Sequence, residues 1–262
     1  MSGAIPISNL QLLFAVVLVA LAGAISALLR LGLLRSLLWG TVRTVVQLLV
    51  MGQILVFLFS MEAWWVVLGV VALMCLFAAH TARSRTPHAV SYSMRYAYLS
   101  LFTTTVLIAV TVCALIVRAD PWWSPRVAIP LAGMILGNSM NGIALALDRL
   151  FSETRSRAGE IEGLLALGAS PWEAIREPLR AALRAGMIPV LNSLRAVGLV
   201  FIPGMMTGQI LGGADPLTAV RYQIVVMLMI AAAVALGSLI LVGLYHKRLF
   251  TEDEALRPEL LQ

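Results

Sequence analysis

Residues 160–183 read EIEGLLALGASPWEAIREPLRAAL, a polar and amphipathic interruption in a chain that is otherwise very hydrophobic. Gly168 is the residue type that most often ends a helix in the left-handed conformation. Ser170 can cap a following helix, and Glu173 stands where the capping box Ser-x-x-Glu requires it. The stretch therefore predicts two short helices joined by a tight turn, within a loop of residues 150–185 that is called the knob below.

Composition places the rest of the chain in a membrane. Of its 262 residues, 60% are hydrophobic and 12% are charged, and several apolar runs exceed the ~20 residues that cross a bilayer. We predict an all-α, polytopic transmembrane helical bundle of about seven spans. The predicted spans are Leu10–Leu29, Leu37–Phe59, Trp64–Ala79, Ala97–Val117, Val127–Leu147, Gly186–Leu211 and Leu217–Tyr245.

Charge decides the predicted orientation. Most of the 19 lysines and arginines fall in the knob, in the tail after the last span and in two other loops on the same side. The positive-inside rule then puts the N-terminus outside and the knob and C-terminus in the cytosol. Paired tryptophans at 64–65 and 122–123 fit the outer interface. We expect a single domain over 1–262, multi-pass in the cell inner (plasma) membrane, with lipid as its surroundings.

Several functions are excluded by what the chain lacks. It has no G-x-x-x-x-G-K-[ST] phosphate loop, and its one lysine, Lys247, follows the last span. Cys75 and Cys113 lie in apolar runs and are predicted to be buried thiols. The basic residues flank membrane spans, so they do not indicate nucleic-acid binding. The chain is predicted not to be an enzyme and to bind no cofactor of its own.

The fifth span carries a polar face. Met134, Asn138 and Asn141 follow an i, i+4, i+7 spacing and therefore share one side of a helix. Gly133 and Gly137 form a small-xxx-small pair that suits close helix contact. The two amides either join helices or line a transport path, and both alternatives require that they face protein or water.

The sixth span is predicted to break at Pro203, because proline removes a backbone donor and clashes with the preceding turn. Broken transmembrane helices often bracket substrate sites. Met205 and Met206 follow at once and either fill irregular packing or offer soft ligands. Asn192 and Arg195 precede the break on one stripe of the same span.

Two arginines lie inside predicted spans. Arg43 and Gln47 are four residues apart near the cytosolic end of the second span, where Arg43 either snorkels to the interface or faces the path. Arg195 lies deeper, and no acidic residue is found at similar depth in any span. An unpaired arginine suits a complexed metal or an organic anion better than a bare cation.

The segments IPLAGMILGNSMNG (129–142), VGLVFIPGMMTGQILGGADPLTAVRYQI (197–224) and RTVVQLLVMG (43–52), together with LGAS (167–170) in the knob, carry a family resemblance. They resemble the FetB-type (UPF0014) iron-export permeases of ABC transporters over nearly the whole chain. The resemblance implies a permease that forms the membrane path for iron or a related solute. A separate ATPase, in two copies, would bind ATP and Mg²⁺ and drive a homodimer of this chain.

The knob would then be the surface on which the ATPase docks. The candidate coupling residues are Glu160, Leu167, Gly168, Ala169, Ser170, Pro171, Glu173 and Ala174. The candidate path residues are Arg43, Gln47, Met134, Asn138, Asn141, Asn192, Arg195, Pro203, Met205 and Met206. No metal ligands are assigned.

Two other functions stay open. One is an ABC permease for an organic anion or a nucleotide sugar. The other is a secondary transporter driven by an ion gradient, which predicts buried acidic residues that the spans lack.

Overall fold

A computed structural model describes residues 8–61, 63–86 and 93–257. In these ranges the regular structure is helical, apart from two isolated β-bridges, which confirms the all-α prediction. The helices are α1 (Asn9–Leu28), α2 (Leu34–Phe59), α3 (Trp64–Arg83), α4 (Met94–Thr111, continued by a π-helical turn Val112–Ile116), α5 (Pro125–Ser156), α6 (Ala158–Ala166), α7 (Pro171–Ala174), α8 (Arg176–Ala196), α9 (Gly204–Leu211) and α10 (Pro216–His246).

Within the described residues, five helices are long and apolar enough to cross a membrane. They are Leu34–Phe59, Trp64–Arg83, Met94–Ile116, Pro125–Ser156 and Pro216–His246. Each contains most or all of one predicted span. A shorter apolar helix, Val16–Leu28, lies within the first predicted span, Leu10–Leu29. The chain is thus a helical membrane protein.

The contacts divide the chain into two compact units. The first contains α1 and α2, together with residues 208–215. The hydroxyl of Ser8 accepts a hydrogen bond from the backbone of Gln11 and begins α1. The hydroxyl of Ser26 accepts one from the N–H of Leu33, at 3.1 Å, and so ties the end of α1 to the start of α2. Most side chains of this unit are exposed.

The second unit holds α3 to α8, the first turn of α9, and α10. Helix α5 lies at its centre and packs against α3, α4, α8 and α10. The core is made of small and aliphatic side chains such as Ala79, Leu101, Leu136, Leu147 and Leu241. Cys75 and Cys113 are buried free thiols, as the sequence predicted.

Helices α5, α8 and α10 cross at two glycines. A Cβ added to Gly186 would lie 2.8 Å from the carbonyl oxygen of Gly142, 3.0 Å from the hydroxyl of Ser238 and 3.1 Å from Ala146. A Cβ on Gly142 would lie 2.6 Å from Val234. The backbones of α5 and α8 therefore touch, which only glycine permits.

Gly133 and Gly137, the pair for which the sequence suggested a close helix contact, do not form one. A Cβ on Gly133 would only reach the tip of Met74 at 3.4 Å, and one on Gly137 would meet nothing within 4 Å. The small-xxx-small pattern predicts which face of a helix has small residues, but it does not predict which helix packs against that face. Gly142, five residues further on, is the glycine of α5 that faces α8.

The sixth predicted span is not one helix broken at Pro203. Helix α8 begins at Arg176 in the knob and ends at Ala196, and the turn 197–203 separates it from α9. Gly198 stands at φ +80, the left-handed conformation that ends helices, and its N–H donates to the carbonyl of Phe201 at 3.0 Å. The break thus begins before Pro203, whose carbonyl instead accepts from Thr207 in the first turn of α9.

The crossing at Gly186 gives a stability prediction. Gly186→Ala should lower stability by about 1–3 kcal/mol, because the added methyl overpacks a contact between two backbones. Tm of the purified protein in detergent should fall by about 3 °C or more. Gly243→Ala on α10 is the matched control, since a Cβ there meets nothing within 4 Å. Equal Tm values for the two variants would contradict a tight crossing.

Candidate functional site

The turn of the knob has the geometry that the sequence predicts. Gly168 stands at φ +90, and its N–H donates to the carbonyl of Leu165 at 2.9 Å. The N–H of Ala169 donates to the carbonyl of Leu164 at 3.0 Å. These two bonds form a Schellman motif and satisfy the last carbonyls of α6. The turn is therefore held by backbone bonds and is not a loose loop.

Helix α7 begins with the predicted capping box. The hydroxyl of Ser170 accepts from the N–H of Glu173 at 3.4 Å, and the carboxylate of Glu173 accepts from the N–H of Ser170 at 2.9 Å. Pro171 is the first residue of α7. The hydrogen bonds from Ser170 lower the pKa of Glu173 below its usual value. The box therefore weakens as the pH falls through that pKa, when the carboxylate becomes protonated.

The knob has two faces. Ile161, Ala174 and Ile175 are buried and belong to the same core as Leu147 of α5. On the other face, 86% of Leu167 and 52% of Trp172 are exposed beside the turn. Of the candidate coupling residues, Ala174 belongs to the inner face that anchors the knob, and Leu167 belongs to the outer face.

Glu160 has a local contact. Its carboxylate pairs with the guanidinium of Arg157 at 3.1 Å, and the two side chains are 56% and 36% exposed, respectively. Such pairs contribute little to stability. Glu160 therefore belongs to the outer surface of α6.

Aromatic rings join the knob side of α5 to the end of α10. The ring of Tyr245 stands edge-on to Phe151 at 5.9 Å and to Tyr96 at 5.5 Å. The hydroxyl of Tyr245 accepts a hydrogen bond from the N–H of Ser93. Trp172 stands edge-on to His246 at 5.0 Å. The knob and the end of α10 are therefore in direct contact, through Trp172 and His246.

The amides of α5 point to different partners. Asn138 is exposed, and its Nδ2 donates to the carbonyl of Met134 on its own helix at 2.9 Å. Asn141 is half-buried, and its Oδ1 accepts from the guanidinium of Arg85 just after α3. Asn141 thus joins α5 to the end of α3, as the structural alternative for these amides predicts.

The residues of α8 form an exposed stripe. Arg184, Ile188, Asn192 and Arg195 are exposed and recur every three or four residues, so they lie on one side of the helix. Arg195 stands in the last turn of α8, where a cation is favoured by the helix dipole. No ion pair to Arg195 is formed within the described residues. This row, called the α8 stripe below, carries two arginines and continues from the knob.

Pro203 and Met206 lie together in the wall of a cavity of 440 Å³ between the end of α8 and α10. Met205 is half-buried but does not line this cavity. Arg43 and Gln47 are exposed on α2 in the first unit. The candidate path residues of the second unit thus lie in three places: on α5, on the α8 stripe and at this cavity.

Sequence analysis missed two residues of α10. Gln223 is 6% exposed and Met227 is 9% exposed, and both line the cavity beside Met206. A lone amide in the apolar run of the last span was the available signal, because a polar group inside a membrane helix needs a reason. In the described residues, no group of three His, Cys, Asp or Glu side chains lies close enough to hold a metal ion.

Curated relatives cover almost the whole chain. A UPF0014 membrane protein of Synechocystis is 40% identical over 91% of this chain and 93% of its own length. The probable iron export permease protein FetB of Escherichia coli is 34% identical over 95% of both. The protein ALUMINUM SENSITIVE 3 of Arabidopsis thaliana is 34% identical over 91% of this chain and 86% of its own.

No solved structure matches the chain at a significant level. A model of the uncharacterised protein family UPF0014 matches residues 9–250, and the chain therefore belongs to this family.

Proposed function

We propose that this chain is the membrane-spanning permease subunit of an ABC transporter, and that a separate ATPase docks on its knob. The observation that carries the proposal is the pair of exposed side chains Leu167 and Trp172 on a turn fixed by its own hydrogen bonds. Exposed apolar side chains that cluster on a rigid turn favour a protein partner. ATP and Mg²⁺ would bind to that partner.

The packing of the knob supports its use in coupling. Ile161 and Ile175 are fully buried in the core that includes α5 and α10, so the knob cannot move without them. Helix α8 runs without interruption from the knob at Arg176 to the turn at Val197. In a homodimer with two ATPases, ATP-driven approach of the two knobs would tilt α8 and reorient the turn 197–203, giving alternating access.

Leu167→Asp should disrupt docking while it leaves the fold intact, because 86% of the side chain is exposed. We expect at least tenfold less co-purification of the partner ATPase, since a carboxylate would be buried in the apolar contact. Ala255→Asp adds the same charge at an exposed position of the tail and should leave recovery unchanged. Equal recovery with both variants would refute docking at the knob.

We also propose that the chain lies in the inner (plasma) membrane and crosses it seven times. The N-terminus would be outside, and the knob would be in the cytosol. The α8–α9 segment would complete the sixth crossing. Trp64 is the first residue of α3, and Trp122 lies just before α5. Both side chains are exposed, and this orientation places both positions outside. The knob carries five arginines, which the positive-inside rule favours in the cytosol.

Single cysteines test this orientation in a background without Cys75 and Cys113. Trp122→Cys and Ala214→Cys should react with an impermeant maleimide on intact cells, and Glu162→Cys only after permeabilisation. Ala214 decides the sixth crossing, since it follows α9. Labelling of Ala214→Cys only after permeabilisation would mean that the α8–α9 segment returns to the cytosol. Labelling of Glu162→Cys in intact cells would reverse the orientation.

For the cargo we propose iron in complexed form. The support is the permease named for iron export among the relatives. Thioether and amide groups dominate the candidate path, and Fe(II) prefers nitrogen and oxygen donors. A complex that keeps its own ligands would cross without a metal site in the chain.

The α8 stripe favours a second cargo class, an organic anion. Arg184 and Arg195 are exposed on one side of a helix that is too polar to be counted among the apolar spans. Facing lipid, Arg195, which lies inside the predicted sixth span, would cost several kcal/mol. Facing the same stripe of a second copy across a water-filled path, both arginines would attract negative charge.

Arg195→Ala tests the anion path. The substrate concentration for half-maximal stimulation of ATP hydrolysis should rise about tenfold or more, because a charged hydrogen bond to the cargo is lost. Assembly with the ATPase and Tm should not change, since Arg195 forms no ion pair within the described residues. Arg126→Ala, at an exposed position at the start of α5, is the control. Unchanged stimulation by Arg195→Ala would exclude the stripe from the path.

A further inference from the structure

The cavity between the end of α8 and α10 has the make-up of a small-molecule site. Its walls come from the end of α8, the turn 197–203, the first turn of α9 and one side of α10. Aliphatic side chains dominate, among them Leu194, Ile202, Val220 and Leu228. Its volume of 440 Å³ lies in the range of ligand pockets, which are mostly apolar with a few placed polar groups.

One polar group stands in this wall. Gln223 is 6% exposed, and its Oε1 accepts no hydrogen bond from any described residue. A buried acceptor left without a donor destabilises the fold, and native proteins rarely keep one. Gln223 also lies in the most hydropathic of the five long apolar helices of the described residues, where leucine would fit at no such cost. A donor from outside the chain is the simplest reason for an amide at this position.

The cavity opens through an apolar rim. Ile202, Ile224 and Leu228 line it and are between 54% and 61% exposed. No charged side chain belongs to its wall. A charged ion would lose its hydration there without a counter-charge. An apolar molecule would lose nothing, and it could enter from the hydrocarbon layer.

We propose that this cavity binds an apolar molecule that carries one hydrogen-bond donor, a hydroxyl or an amine, which donates to Oε1 of Gln223. The apolar body would lie against the side chains of α8 and α10, beside the thioethers of Met206 and Met227. The site lies off the α8 stripe, and the proposal holds whether or not an ATPase docks on the knob. It names a ligand class for a cavity that includes the candidate path residues Pro203 and Met206.

A photoreactive alcohol tests the proposal on the full chain in lipid nanodiscs. An octanol that carries a diazirine should label residues 194–206 and 220–228, located by mass spectrometry of peptides. Unlabelled 1-octanol should compete, and heptyl methyl ether should compete about fivefold less, because it has the same number of heavy atoms in a similar chain without the donor. Equal competition by the ether would overturn the hydrogen bond to Gln223.

Three variants complete the test. Gln223→Leu should reduce labelling about fivefold, since it removes the acceptor and keeps the volume. Gln53→Leu makes the same change at an exposed position of α2 and should label like the wild type. Val220→Trp should abolish labelling by filling the cavity while the amide remains. Labelling spread evenly over all lipid-facing helices, or undiminished in Gln223→Leu, would refute the site.

Discussion

The backbone contact between α5 and α8 is the constraint on which the second unit depends. Gly142 and Gly186 let the two helices touch, and the hydroxyl of Ser238 brings α10 to the same point. In a membrane the hydrophobic effect does not drive helices together, so close packing of small residues must supply the attraction. Because α8 also begins in the knob, this one crossing fixes how the knob is joined to the apolar helices.

Helix α8 connects the knob to the crossing at Gly186. The inner residues Ile161 and Ile175 are buried in the core, and the aromatic ring of Tyr245 ties α10 to α5 close by. The outer residues Leu167 and Trp172 are left exposed. The inner face thus anchors the knob, while the outer face offers two apolar side chains beside exposed charges such as Glu160. That division of the knob is the physical basis for the proposed ATPase coupling.

Polar side chains in the predicted spans have different surroundings. Asn138 bonds to its own helix, and Asn141 is held by Arg85. The α8 stripe keeps Arg195 exposed without an ion pair in the described residues, which suits water and anions. Gln223 is buried with a free acceptor in an apolar wall, which suits a neutral donor. The last two environments favour different ligand chemistry, although all four residues are polar groups in predicted spans.

The sequence by itself determined what depends on neighbours along the chain. The apolar runs predicted the helices, and Gly168, Ser170 and Glu173 predicted the turn of the knob, because caps are local hydrogen bonds. Only the tertiary structure decided which glycines touch, and that Gln223 shares a cavity with Pro203 and Met206. These features join residues tens of positions apart, and helix periodicity names a face but never the helix that covers it.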